Sequence, residues 1–126
     1  MALICTFIVD DNPEFSDALT RLVRDWSNGV CVVGTATGAL EALERVASLK
    51  PDVLLLDLRL PDLPGLKAIP RFRELLPEMA IIAVSMMDPD LYGEAARRAG
   101  AADFVAKSQV MTDLLPAIRR AAKRDT

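Results

Sequence analysis

Val53-Leu54-Leu55-Leu56-Asp57 lies near the middle of the chain, and Pro61-Asp62-Leu63-Pro64-Gly65 follows four residues later. The first four residues are apolar at every position. A strand with one wet face alternates, whereas an unbroken apolar run is covered on both faces, as at the centre of a parallel sheet. Asp57 comes at once after the run, and the Pro/Gly-rich segment reads as a loop. The strand therefore carries a carboxylate to its own C-terminal edge.

Working outward, strand and helix signals alternate five times. Residues 3–9 form a β-rich run ending in Asp10-Asp11. Asn12 then offers a helix cap and Pro13 the favoured first helical position. Phe15, Ala18, Leu19, Leu22, Val23 and Trp26 recur at helical spacing, and Asn28-Gly29 stops that helix. Residues 30–33 read as a second strand. Thr37 is placed to cap a second helix, whose stripe is Leu40, Leu43, Val46 and Ala47 and whose end is Lys50-Pro51. A third helix is expected over 66–76, with Pro70 removing one backbone hydrogen bond. Residues 80–84 form a strand with Ser85 next. Asp88-Pro89 opens a fourth helix that ends at Gly100. Residues 102–106 form the last strand, with Lys107 next. The fifth helix starts near Thr112 or Asp113, with Leu114, Leu115, Ile118 and Ala122 inward and Pro116 in its first turn.

Five βα units in a row imply a parallel sheet with right-handed crossovers and helices on both faces. The leading α/β architecture is a doubly wound, flavodoxin-like (βα)5 domain with strand order 2-1-3-4-5. Its site lies beyond the carboxyl ends of strands 1 and 3.

Composition bounds the function. At 126 residues the chain fits one domain. Hydrophobic residues at 52% beside 26% charged exclude intrinsic disorder. A net charge of -3 argues against a free-standing nucleic-acid binder. The longest apolar run, residues 79–84, is far short of the ~20 residues that span a bilayer. No Lys or Arg precedes Arg21, as a signal peptide would require. A soluble, cytoplasmic protein without membrane contact is expected. Cys5 and Cys31 form no CxxC motif and read as buried free thiols. Histidine is absent, so no Ser-His-Asp triad, Cys-His pair or phosphohistidine can be built on this chain.

Each strand end carries a polar residue: Asp10 and Asp11, Asp57, Ser85, and Lys107. The fold gathers these at one edge. Two like charges 4 Å apart cost about 4 kcal/mol at an effective dielectric of 20, so three carboxylates in one crevice call for a cation. Hard oxygen ligands without imidazole or thiolate select Mg²⁺ or a similar ion. Cation, ammonium and hydroxyl around one carboxylate suit phosphoryl transfer. Asp57, at the centre, is the natural acceptor.

This set of residues resembles the receiver domain of bacterial two-component response regulators. The resemblance rests on Asp10-Asp11, the stretch from Asp57 to Gly65, Ser85, Phe104 and Lys107, and it spans residues 3–123. It implies one receiver domain over 1–126, with no output domain in this chain. It implies a regulatory domain rather than an enzyme, phosphorylated on Asp57 by a sensor histidine kinase or a small phosphodonor. It also implies Mg²⁺, with Mn²⁺ able to substitute, held by Asp11, Asp57 and the Arg59 backbone carbonyl, with Asp10 acting largely through water. Lys107 pairs with acceptor or phosphate, Ser85 bonds the phosphate, and Phe104 turns inward as Ser85 moves. The face built by helix 4, strand 5 and helix 5 then reports the change. The Ala106-Lys107-Ser108 context and the helix from Leu114 to Arg119 look most like receivers joined to helix-turn-helix output domains, so DNA is expected as a partner only through such a domain. A homodimer is a further family expectation.

Two features depart from the family pattern, and a third residue, Arg59, is open to two roles. Met86 follows Ser85 where a small residue is usual, and Met87 comes next, which suggests a hindered, drier site. Ser108 replaces the usual proline, where a cis bond costs about 2.5–4 kcal/mol. Arg59 can reach over the phosphate or pair with an acid. Two other readings stay open: a Mg²⁺-dependent aspartyl-phosphate phosphatase, against which the missing Asp-x-Asp pair argues, and a phosphorylation-independent binding module. Arg119, Arg120, Lys123 and Arg124 read as cations at a helix C-terminus, or as contacts to a dimer mate or output domain.

Overall fold

The computed structural model describes residues 3–26 and 29–123. Their elements alternate as expected: β1 (Ile4–Val9), α1 (Pro13–Trp26), β2 (Val30–Ala36), α2 (Ala39–Leu49), β3 (Val53–Leu56), α3 (Gly65–Leu75), β4 (Ala80–Ser85), α4 (Pro89–Ala99), β5 (Asp103–Ala106) and α5 (Val110–Lys123). All neighbouring strands pair in parallel, in the order β2-β1-β3-β4-β5.

The two faces of β3 explain its unbroken apolar run. Leu54 and Leu56 pack with Ala39, Ala42 and Val46 of α2, Ile69 and Phe72 of α3, and Ala96 of α4. Val53 and Leu55 pack with Leu19 and Val23 of α1 and with Leu114 and Ile118 of α5. β3 therefore sits in the middle of three layers. Burying a Leu-sized side chain is worth about 1.5–3 kcal/mol, so β3 is anchored on both of its faces. Whatever follows it is held fixed.

The caps follow the sequence at α1 and α4. Asn12 Oδ1 accepts the N–H groups of Glu14 and Phe15 at 3.0 and 3.3 Å. Asp88 Oδ1 accepts that of Asp90 at 2.9 Å, and Gly100 ends α4 with φ 128°. Lys50 closes α2 in the left-handed region, with φ 48°.

Helix α2 differs from expectation at its start. Thr37 does not cap it; the cap residue is Gly38, which offers no side chain. Asp62, in the loop after β3, reaches across instead. Its two oxygens accept the N–H groups of Ala39 and Leu40 at 3.0 and 2.9 Å. Those bonds, led by the Leu40 N–H, hold the Asp62 carboxyl below its ordinary range. A Cβ on residue 38 would lie 2.8 Å from Asp62 Oδ2, so a larger residue there would have to push the capping carboxylate aside. Ala39, Ala42 and Val46 face inward, Leu43 is half-buried, and Leu40 and Ala47 face water. In α1, Leu19 and Val23 are buried, Phe15 and Leu22 half-buried and Ala18 exposed. The Trp26 side chain and Asn28 fall outside the described residues.

Helix α5 begins before Thr112. A single 3₁₀ turn, Lys107–Gln109, runs straight into it. A residue before proline is kept out of the helical region; Ser108 lifts that restriction from Lys107. The 107–108 bond is trans. Pro116 is consequently interior to α5 rather than in its first turn. Both Pro116 and Thr112, whose carbonyl loses its partner, lie on the exposed side, where water can replace the bond. Pro70 is likewise exposed within a continuous α3.

Asp62→Ala should lower unfolding stability at pH 7 by about 1 kcal/mol, the worth of an N-cap, measured by urea denaturation. A lowered carboxyl pKa stabilises above its ordinary range and the benefit is lost as pH falls through the folded value. The difference between wild type and variant should therefore shrink in acid.

Candidate functional site

Hydrogen bonding continues past the strand ends as far as the acids. The Asp10 N–H donates to the Ala36 carbonyl at 3.0 Å, and the Asp57 N–H to the Val9 carbonyl at 2.9 Å. Asp10 and Asp57 are therefore set side by side by backbone. The loop after Asp57 folds back tightly: the Gly65 N–H donates to the Leu58 carbonyl at 2.9 Å. A Cβ on Gly65 would lie 2.5 Å from Leu58 Cα and 2.8 Å from the Asp57 carbonyl oxygen, so only glycine fits.

Asp10, Asp11 and Asp57 each offer a carboxylate oxygen, and these oxygens all lie within 4.8 Å of one another. Asp10 and Asp57 are buried and Asp11 is exposed. Asp10 Oδ1 accepts the Asn12 N–H at 2.9 Å, and Asp57 Oδ1 accepts the Arg59 N–H at 3.1 Å. The Lys107 ammonium enters from the far side. Nζ stands 2.7 Å from Asp10 Oδ2 and 3.3 Å from Asp57 Oδ2.

The electrostatics are unbalanced. Burial pushes the Asp57 carboxyl above its ordinary range, and the Arg59 N–H and Lys107 only partly pull it back. Burial also pulls the Lys107 ammonium down, but the hydrogen bond to Asp10 and the charges of Asp57 and Asp10 outweigh that, and its net shift is upward. The ammonium stays charged while Asp57 remains reluctant to ionise. Three carboxylates face one ammonium. The donor set, all hard oxygen and clustered at a cleft, fits a hard divalent cation.

The cleft has a volume of about 280 Å³ and is lined by Asp11, Asn12, Asp57, Arg59, Met86 and Lys107. It thus assembles most of the residues singled out in the sequence. Ser85 is fully buried and does not line it; its hydroxyl accepts the Met87 N–H at 3.2 Å. That bond turns residue 87 aside, and Met87 packs against the core on the α2–α4 side instead of guarding the cleft. Phe104 is half-buried against the same core, its Cβ 4.0 Å from where a Cβ on Gly93 of α4 would stand. Met86 does rim the cleft, and with 79% of its surface exposed it stands at the mouth rather than in the interior.

Several contacting residues escaped the sequence reading. The Phe15 ring lies under Lys107, with Nζ 4.3 Å from its centroid. Its place in the α1 stripe signalled only core. Asp103 binds Arg97 of α4 at 3.3 Å and Arg120 of α5 at 2.9 Å, so it joins the two helices across β5. Arg120 is thereby engaged by a side chain and not merely by the helix end.

Three comparisons bear on this geometry. The family model described as the response regulator receiver domain matches residues 6–119. The response regulator GacA of Pseudomonas viridiflava is 32% identical over 117 residues, which cover 93% of this chain and 54% of that protein. The chain spans about half the length of the curated relatives it matches. The receiver domain of the response regulator NarL from Mycobacterium tuberculosis superposes with a TM-score of 0.88 at 30% identity, covering 98% of this chain and 99% of that one. A LuxR-family two-component response regulator from Aurantimonas sp. SI85-9A1 gives 0.89 at 28%, covering 96% and 86%. A match over nearly the whole chain, on a sheet whose acidic edge and lysine stand as described, makes this chain a member of the response regulator receiver domain family.

Proposed function

We propose that this domain is a phosphorylation switch in which Asp57 accepts a phosphoryl group in a Mg²⁺-dependent reaction. The observation that carries the reading is the Lys107 ammonium held 2.7 Å from Asp10 and 3.3 Å from Asp57 beside a three-carboxylate cluster. The donor is a sensor histidine kinase or a small phosphodonor. Asp11, Asp57 and the Arg59 carbonyl would hold the cation, with Asp10 acting largely through water. When bound, it supplies the positive charge that lets the acids and the incoming phosphoryl oxygens share one cleft.

The chain's own groups do the rest. An Asp57 carboxylate oxygen attacks phosphorus, the bond from phosphorus to the donor's leaving group breaks, and that group departs with the electron pair. Lys107 is already charged and exchanges part of its contact with Asp57 for a phosphate oxygen. The Arg59 N–H, fixed on Oδ1, keeps the carboxylate aimed. Ser85 gives up the Met87 N–H and donates its hydroxyl to the phosphate. The 85–87 backbone is then free to move, and Phe104 follows towards the vacated space beneath α4. The face formed by α4, β5 and α5 passes the change to an output, transcription in our reading, through a DNA-binding domain of the kind that the longer relatives have room for.

With acetyl phosphate and Mg²⁺, intact mass should show one phosphoryl group on wild type and none on Asp57→Asn; no incorporation into wild type would overturn the proposal. Mg²⁺ at about 100 times its Kd should stabilise wild type by about 2.7 kcal/mol. Asp57→Asn should lose most of that gain, measured by thermal unfolding against EDTA. A raised carboxyl pKa favours folding below its ordinary range, and that benefit is lost as pH rises through the folded value. In EDTA, Asp57→Asn should therefore gain on wild type as pH rises from 4 to 7, on the order of the carboxylate range. Met86→Ala opens the cleft mouth, and its phosphoryl group should decay a few-fold faster, on the order of the small energies set by one exposed side chain. Equal decay rates would remove the role given to Met86.

A further inference from the structure

Cys5 and Cys31 lie apart from the phosphoacceptor cleft. They are Cα partners on β1 and β2, directly opposite each other. Their sulfurs are 3.9 Å apart, with the Cys31 thiol donating to Cys5 Sγ and the Cys5 thiol to the Leu3 carbonyl. Both are free, and both are half-exposed where the sequence suggested burial. By strand rise Cys5 sits roughly 16 Å from Asp10, so the pair is a separate feature of the molecule.

The geometry points to a reversible dithiol–disulfide site, oxidised by exchange with a low-molecular-weight disulfide. Neighbouring strands run about 4.8 Å apart, inside the Cα window of roughly 4.4–6.8 Å that a disulfide tolerates. Closing the sulfurs from 3.9 Å to a bond of about 2.05 Å needs side-chain rotation and a small strand adjustment. The backbone can give there: β2 is one of the sheet's two edge strands, and the β1–β2 register slips between Thr6 and Phe7, just beyond the pair.

The exchange balances in two steps. One cysteine thiolate attacks a sulfur of the small disulfide; that S–S bond breaks, a small thiolate leaves and takes up a proton, and a mixed disulfide forms. The second cysteine loses its proton, attacks the protein-bound sulfur and expels the second small thiol. The protein gives up two electrons and two protons, and the small disulfide becomes two thiols. The 3.9 Å separation makes the second step intramolecular and fast. Burial first, and then Cys31 and Asp52, raise the Cys5 thiol above its ordinary range, so the assay belongs at mildly alkaline pH.

The test is to treat the full chain with oxidised glutathione at about pH 8.5, where ordinary thiols are half ionised, quench with acid and read intact mass and thiol alkylation. The expected product is a monomer lighter by two hydrogens, with both cysteines blocked and both restored by dithiothreitol. Cys31→Ser should stop at one glutathione adduct. In denaturing urea, wild type should accumulate that adduct before closing, because the fold no longer presents the second thiol. Stable glutathione adducts on folded wild type, a covalent dimer, or no reaction would each overturn the site.

Discussion

Among the described residues, Lys107 is the one cation set among buried acids, and the rest of the cleft is arranged around it. Burying Asp10 and Asp57 side by side is costly unless something positive stands between them. The ammonium meets that need on one side, through both carboxylates and over the Phe15 ring. It does not meet it fully, as the upward shift of Asp57 shows. The proposed phosphoryl transfer calls for such an imbalance. A site already neutral would gain little from a divalent ion and would not favour the transfer of more negative charge into it.

The loop that presents Asp57 is itself tied at two points. Asp62 ties it to α2, and the Gly65 turn ties it back over Leu58. On the other side, Ser85 lies at the end of β4 with its hydroxyl occupied by Met87. Phe104 lies near Gly93 under α4, and Asp103 binds both Arg97 and Arg120. Ser85 on β4 and Asp103 and Phe104 on β5 are, in our proposal, the groups that carry a change in the cleft to the α4–β5–α5 face. A full shift of that face from 1:99 to 99:1 requires about 5.5 kcal/mol of differential binding. A few charge-assisted hydrogen bonds to phosphate, worth about 1.5–3 kcal/mol each, are of that size.

Strand order, caps at Asn12 and Asp88, and the convergence of Asp10, Asp11, Asp57 and Lys107 were all legible in the sequence, because each depends on local chemistry or on the β3 apolar run. What escaped depended on distant partners. In α2, Val46 is buried and Leu43 half-buried as the stripe predicts, but Ala39 and Ala42 take the inward places expected of Leu40 and Ala47, because the inward side is chosen by packing partners distant in the chain. The start of α5 was placed too late, because the consequence of Ser108 for Lys107 shows only in backbone angles. Phe15 has the same helical spacing whether it packs in a core or lies beneath an ammonium. Cys5 and Cys31 looked unrelated until the β1–β2 register set them opposite each other.

The central claim is that the carboxylates of Asp11 and Asp57 converge on a hard divalent ion. Crystals grown or soaked with Mn²⁺ and measured at its absorption edge test this most directly, because the ion's anomalous signal locates it without reference to any assumed ligand. The account predicts one strong peak within bonding distance of Asp11, Asp57 and the Arg59 carbonyl. A peak elsewhere, or none in the cleft at saturating Mn²⁺, would contradict it.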